Sequence, residues 1–314
     1  MGSKTYYDSR QHRYKIRYLY DKEAEGKDVF KTVVDIGKSL PTKQPTQNAM
    51  SWGYASTNGP HTWAVNFPQA AGHSQSPINI CCADSIFDSD LQSTPLTFNY
   101  NCEESFEAVN TGESFKVNIK NKSVLGGGPL SDEYRLEQFH LHWGNSDNHG
   151  SEHTIDGQTY AAELHLVHYN CTKYTSFSEA VDKPDGLAVL GIMIQAGSEN
   201  EGFKDMVDTT RNVKTRGKTC QVLKSFDPAV LLPGNTKEFW TYKGSLTTPP
   251  CFESVQWIVF RDPVQYSSKQ LQALRSLLNA EEGGDCIIDN YRPPMPIGSR
   301  KVRASFEVLI NTKM

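Results

Sequence analysis

The sequence predicts an α+β, sheet-dominated fold in which a large β-sheet carries a few short helices at its periphery. Three observations carry that reading. From Trp52 onward Gly, Pro, Asn and Asp cut the chain into short apolar segments; most of those segments alternate every two residues or are apolar throughout; and one stretch alone repeats clearly at helical spacing. In chain order, SFKVNIK (114–120) places Phe115, Val117 and Ile119 on one face and predicts a half-buried strand. GGGP (126–129) predicts a tight turn; with no Lys-Ser/Thr pair and no helical pattern after it, it is not a phosphate cradle. LAVLGIMI (187–194) is apolar at every position and predicts a strand buried on both faces, and SVQWIVF (254–260) reads the same way. The helix is SSKQLQALRSLLN (267–279), where Ser267 or Ser268 can cap and Leu271, Leu274, Leu277 and Leu278 form one apolar stripe.

With 314 residues the chain can bury a core without staples. A net charge of -4 and a pI near 6.1 give no electrostatic footprint for nucleic acid, so no polynucleotide partner is expected. No apolar run approaches the ~18 residues of a membrane span, and the first thirty residues hold no signal-peptide core. The 7 cysteines are odd in number and never spaced Cys-X-X-Cys, which points to a reducing compartment and a cytoplasmic protein. Two sequons, Asn121-Lys-Ser and Asn170-Cys-Thr, would matter only after secretion. Residues 1–50 are polar, rich in Tyr, Lys and Arg, and aperiodic, which fits a flexible N-terminal arm. The alternative is a mitochondrial transit segment, since Lys4, Arg10, Arg13, Lys15 and Arg17 face only Asp8 at the start of the chain.

Four of the 9 histidines fall between Tyr134 and His153. On a strand, His140 and His142 of QFHLHW share a face about 7 Å apart, close enough to converge on one ion. YAAELHLVHYN (160–170) offers a second strand on which Glu163, His165 and Val167 share a face. If the two strands pair, His140, His142 and His165 give three nitrogen ligands and leave one position open, as in a catalytic rather than a structural zinc site. A single His-X-His pair is more often chance. Glu163 and Gln138 strengthen the reading, because ligand histidines donate their second nitrogen to a carboxylate or carbonyl. His168, on the opposite face from His165, reads as a satisfied core histidine.

From Trp52 to about Phe306 the ordered motifs SWGY, QSPINI, GGPL, QFHLHWG, GSEHT, YAAELHLVHYN, DGLAVLGI, FDPAVLLP, FWTYKGSLTTPP and NYRPPMP resemble the α-class carbonic anhydrases. The resemblance implies a single catalytic domain over 51–314, built on a large twisted, mostly antiparallel sheet. It also implies Zn2+ held by His140, His142 and His165, and reversible hydration of carbon dioxide to bicarbonate by zinc-bound hydroxide. Thr247 would take a hydrogen bond from that hydroxide and donate its own to Glu152. Val167, Val189, Leu246, Val255 and Trp257 match the apolar substrate wall, with Thr248 at its mouth and the Thr247 N–H beside the substrate. Tyr54 and Asn110 match residues that order solvent in the cleft. Sulfonamides and anions would inhibit at the zinc, esters could be hydrolysed as a side activity, and the protein would be a monomer.

Two departures from the family pattern bear on function. Glu113 stands where fast members carry a shuttle histidine. A carboxylate of ordinary pKa, about 4.3, would receive a proton uphill by ~2.7 units or ~3.7 kcal/mol, which predicts slow, buffer-assisted turnover. His149 near the rim is a remote substitute. Cys251 matches one half of the disulfide of secreted members, but alanines replace its partner. The rival reading is a non-catalytic binding module on the same fold; such modules have lost zinc histidines, and here all three are present.

Overall fold

The computed structural model describes residues 52–308, apart from 103–105, 121, 223, 224 and 282, together with two short strands nearer the N-terminus. The chain divides into two units, Met1–Asn48 and Ala49–Met314. In the first, Tyr6–Asp8 pairs antiparallel with Arg13–Lys15. The rest of the polar arm read over 1–50, and so the choice between arm and transit segment, lies outside the described residues.

The second unit is one sheet-dominated body. Ten strands follow a single hydrogen-bonded path: β1 (Ile86–Phe87), β2 (Phe106–Asn110), β3 (Phe115–Asn118), β4 (Tyr134–Trp143), β5 (Ala162–Asn170), β6 (Leu187–Ala196), β7 (Thr219–Val222), β8 (Phe239–Gly244), β9 (Val255–Phe260) and β10 (Arg303–Ala304). Their order across the sheet is β7-β2-β3-β4-β5-β6-β9-β8-β10-β1. Every pairing on this path is antiparallel except β6 with β9 and β10 with β1, so the sheet is mixed but mostly antiparallel, as expected. Among the described residues the helices are few and short. α1 (Lys204–Asn212) and α2 (Ser268–Arg275) are the longest, and Ser267 caps α2 in a capping box with Gln270.

Two-residue alternation sorts the strands onto two apolar clusters. Phe139, Leu141 and Trp143 of β4 and Leu164 and Leu166 of β5 join the larger cluster, which also receives Leu271, Leu274 and Leu277 from and just after α2. The opposite face of β5, β6 and β9 puts Val167, Val189, Val255 and Trp257 into the second cluster. LAVLGIMI is buried at every position because both faces are covered. His140, His142, Glu163 and His165 therefore point to the second face, held by strands whose other face is fixed in the main core.

Candidate metal centre

The register between β4 and β5 sets His140 directly opposite His165 and His142 opposite Glu163. Directly opposed side chains leave the sheet side by side. The rings of His140, His142 and His165 accordingly meet with centroids 4.8–5.2 Å apart. Each ring has one nitrogen committed outside the cluster. His140 Nδ1–H donates to Gln138 Oε1 at 2.9 Å, His142 Nδ1–H to the Asn290 carbonyl at 2.7 Å, and His165 Nε2–H to Glu163 Oε1 at 2.7 Å. These bonds assign the tautomers, and each leaves a bare nitrogen facing the other two: Nε2 of His140, Nε2 of His142 and Nδ1 of His165.

Three lone pairs aimed at one another repel unless a cation sits between them. His142 Nε2 is buried without a hydrogen-bond partner, and His140 Nε2 lies 3.3 Å from His165 Nδ1. Two nitrogens held at about 2.0–2.1 Å by one zinc at a tetrahedral angle are themselves about 3.3–3.4 Å apart, so the donor set fits that ion. Burial pulls His140 well below the ordinary imidazole value, helped by His142, His165 and the Lys116 ammonium, which stands opposite it on β3; burial lowers His142 too. Both are therefore neutral near pH 7, the form that ligates a metal.

Glu163 does more than the sequence suggested. Its Oε2 accepts the backbone N–H groups of Glu152 and His153 at 2.8 and 2.7 Å, while Oε1 accepts His153 Nδ1–H and His165 Nε2–H, both at 2.7 Å. Burial pushes this carboxyl up, but the electrostatic attraction of the His153 and His165 imidazoles and the hydrogen bonds they donate hold it well below the ordinary carboxylate range. The chain runs on from His153 Nε2 to the Tyr242 hydroxyl at 2.6 Å, and from there to Ser76 Oγ at 2.9 Å. His153 lies inside the histidine-rich stretch, but its role is set by Tyr242, 89 residues away. Asn290 was equally hidden, because it acts through a backbone carbonyl, and its Oδ1 also accepts the Trp143 N–H at 2.7 Å.

The other sequence candidates gather around this cluster. Glu152 is fully buried: Oε1 accepts the Arg292 N–H at 2.8 Å, and Oε2 lies 3.4 Å from His142 Nε2 with no hydrogen-bond partner. The expected bond from Thr247 is thus not among the bonds Glu152 makes, and Arg292, unforeseen in the sequence, holds the carboxylate instead. Thr247 is buried, and Thr248 is partly exposed with its carbonyl engaged by Cys251. Val167, Val189 and Trp257 stand in register across β5, β6 and β9, with Val255 and Leu246 packed in the same cluster and the Trp257 ring edge-on to His165 at 4.9 Å.

Glu113 and Tyr54 line a cavity of about 370 Å³, together with Arg216 and Asn290, the residue that anchors His142. Burial raises the Glu113 pKa, and Arg216, 3.4 Å away, partly opposes that. Burial, then the charges of Glu152 and Glu113, push the Tyr54 hydroxyl well above its ordinary value, so it remains a donor. Asn110 does not order solvent in the cleft. It is fully buried, donates to the carbonyls of Lys214 and Leu278, and accepts the Gly112 N–H, so it braces the turn that presents Glu113. His149 is tied to Asp289 at 3.1 Å near the surface, and His168 bonds the Tyr100 hydroxyl in the core, where burial lowers its pKa to about 3. All seven cysteines are free, Cys251 among them.

The model of the eukaryotic-type carbonic anhydrases matches residues 58–306. The chain belongs to the carbonic anhydrase family. Carbonic anhydrase 1 of Mus musculus is 49% identical over 260 residues, which is 81% of this chain and 98% of that protein. Carbonic anhydrase 1 of Monodelphis domestica is 45% identical over 263 residues, 82% of this chain and 99% of that protein. The reaction of carbonic anhydrases is the hydration of carbon dioxide, a lyase activity on a small molecule, and the family is in general zinc-dependent. His140, His142 and His165 form a cluster able to hold a metal. Among the described residues no helix is long and apolar enough to cross a membrane.

Proposed function

We propose that the chain hydrates carbon dioxide reversibly with zinc held by His140 Nε2, His142 Nε2 and His165 Nδ1. The observation that carries this is the convergence of three bare nitrogens whose partner nitrogens are all engaged elsewhere. Zinc supplies a Lewis acid that brings the ionisation of a water near pH 7, a value for which carbonic anhydrase is itself the reference case.

The remaining work falls to the chain's own side chains. Gln138, Asn290 and Glu163 fix ring orientation and tautomer, and Glu163 sets a carboxylate behind His165. Val167, Val189, Leu246, Val255 and Trp257 offer carbon dioxide an apolar wall that asks for no hydrogen bond. Thr247 donates a hydrogen bond from its hydroxyl to Glu152 Oε2, which leaves its oxygen lone pairs to accept one from the nucleophile. What supports this assignment is the Glu152 Oε2 oxygen, which is buried and has no other donor. Thr248 guards the mouth of the wall, and Tyr54 donates into the cleft.

Glu113 then takes up the released proton at a carboxylate oxygen. Burial raises its pKa toward that of the donor and shortens the uphill step, while Arg216 works against the gain. Turnover is therefore buffer-assisted. Activated esters would be hydrolysed slowly as a side reaction, sulfonamides and small anions would compete at the metal, and the protein acts as a cytoplasmic monomer. Stopped-flow hydration by the zinc-loaded protein across a series of imidazole concentrations tests this reading. Turnover that climbs with imidazole supports it. No turnover with one zinc bound transfers the function to a binding module on this fold.

A further inference from the structure

A second concavity, about 520 Å³ in volume, lies against β8 and the segment leading into β10. Lys243, Arg300, Lys301 and Arg303 bring four cations to its wall, Ile86 and Tyr242 add apolar surface, and no Asp or Glu among the described residues lines it. The chain as a whole carries a net charge of -4, so this concentration of positive charge runs against the rest of the molecule.

Among the described residues three of the four cations make no ion pair. Arg303 is paired with Asp88 at 2.8 Å. Arg300 donates to the carbonyls of Gln75, Pro296, Ile297 and Lys243 at 2.8–3.2 Å, and its guanidinium lies 5.5 Å over the Tyr242 ring. Neutral acceptors fix that guanidinium without cancelling its charge. Glu253, the carboxylate that acts on Arg300 from outside the cavity, already accepts from the Ser74 N–H and Gln75 Nε2. Lys243 and Lys301 are exposed and make no ion pair among the described residues. A fixed guanidinium flanked by two free ammonium groups is a receptor for an anion with more than one charge, because each lysine can turn three donors toward it. The volume falls within the ~300–1,000 Å³ of small-molecule sites.

We propose that this cavity binds a small multivalent anion bearing phosphate or carboxylate groups, held by Lys243 and Lys301 above the fixed charge of Arg300. None of His140, His142 and His165 lines it, so the proposal stands or falls separately from the zinc reading.

The test is calorimetric titration of the full-length, zinc-loaded protein with pyrophosphate and, separately, with citrate. The native chain is compared with Lys243→Gln/Lys301→Gln and with Lys237→Gln/Lys269→Gln, which removes two exposed charges elsewhere. Removal of two direct charge contacts should weaken binding by about tenfold or more in the first variant and leave it within about twofold in the second. Binding of either anion that follows this pattern, and that weakens with added salt, supports the site. The preferred anion then identifies phosphate or carboxylate as the ligand group. Equal affinity in all three proteins places the anion elsewhere, at the metal for example, and overturns the proposal, as does the absence of binding by both anions.

Discussion

Glu163→Gln changes one buried oxygen to an amide nitrogen and should both loosen the fold and weaken zinc binding. In the native chain each carboxylate oxygen accepts two N–H groups, four in all at 2.7–2.8 Å. Whichever way the amide turns, its NH2 end confronts two of those donors. Two buried N–H groups without acceptors cost about 1–3 kcal/mol each, so unfolding free energy should fall by about 2–6 kcal/mol. If the NH2 end faces the imidazoles, His165 recovers a bond only by moving its proton to Nδ1, the nitrogen that faces His140. Loss of such an outer partner lowers metal affinity by about 10–100-fold, or about 1.4–2.7 kcal/mol. Urea unfolding of the metal-free proteins measures the first effect, and chelator competition for zinc the second. There is also a pH signature. A carboxylate whose folded pKa is depressed contributes stability that is complete above its unfolded value, about 4.3, and that is lost as pH falls through the folded value. The native chain should lose stability more steeply than the variant in that acid window. A stability change below about 0.5 kcal/mol, with zinc affinity and acid dependence unaltered, would refute the reasoning.

Three further changes probe the surrounding parts. Glu113→His should raise turnover in buffer of low proton-accepting capacity by about tenfold or more, because its pKa lies nearer that of the donor; an unchanged rate would remove position 113 from the proton path. Val189→Phe should cost about 1–3 kcal/mol of stability by overpacking and lower kcat/KM about tenfold with zinc content unchanged, and intact kcat/KM would show that carbon dioxide does not rest on this wall. Tyr242→Phe removes the hydroxyl bonded to His153 Nε2 and Ser76 Oγ and should cost about 1–3 kcal/mol, read as a lower urea midpoint; no shift would mean the chain behind His165 ends at His153.

Much of this site was legible because strand alternation is a strong local rule. The His-X-His of β4 and the Glu-X-His of β5 put all three candidate ligands and one outer partner on one face once the strands paired. The continuous apolar run of β6 and the capped leucine stripe of α2 were equally plain, since each carries its own periodicity. Residues that act across the fold were not legible. Asn290 contributes a carbonyl that any residue could offer, Arg292 offers a backbone N–H to Glu152, and Tyr242 meets His153 from 89 residues further along the chain. Asn110 shows the opposite failure: a polar side chain beside the cleft in sequence turned out to be consumed by bracing its own turn.

Zinc stoichiometry and carbon dioxide hydration, measured on one preparation of the native chain and one of His140→Ala, test the central claim most directly. The account predicts one tightly held zinc and measurable hydration in the native protein. In the variant, two imidazoles remain where three were needed, and both properties should fall together, hydration by about a hundredfold or more. A variant that keeps its zinc and its rate, or a native chain that holds zinc at other residues, would contradict the assignment of His140, His142 and His165.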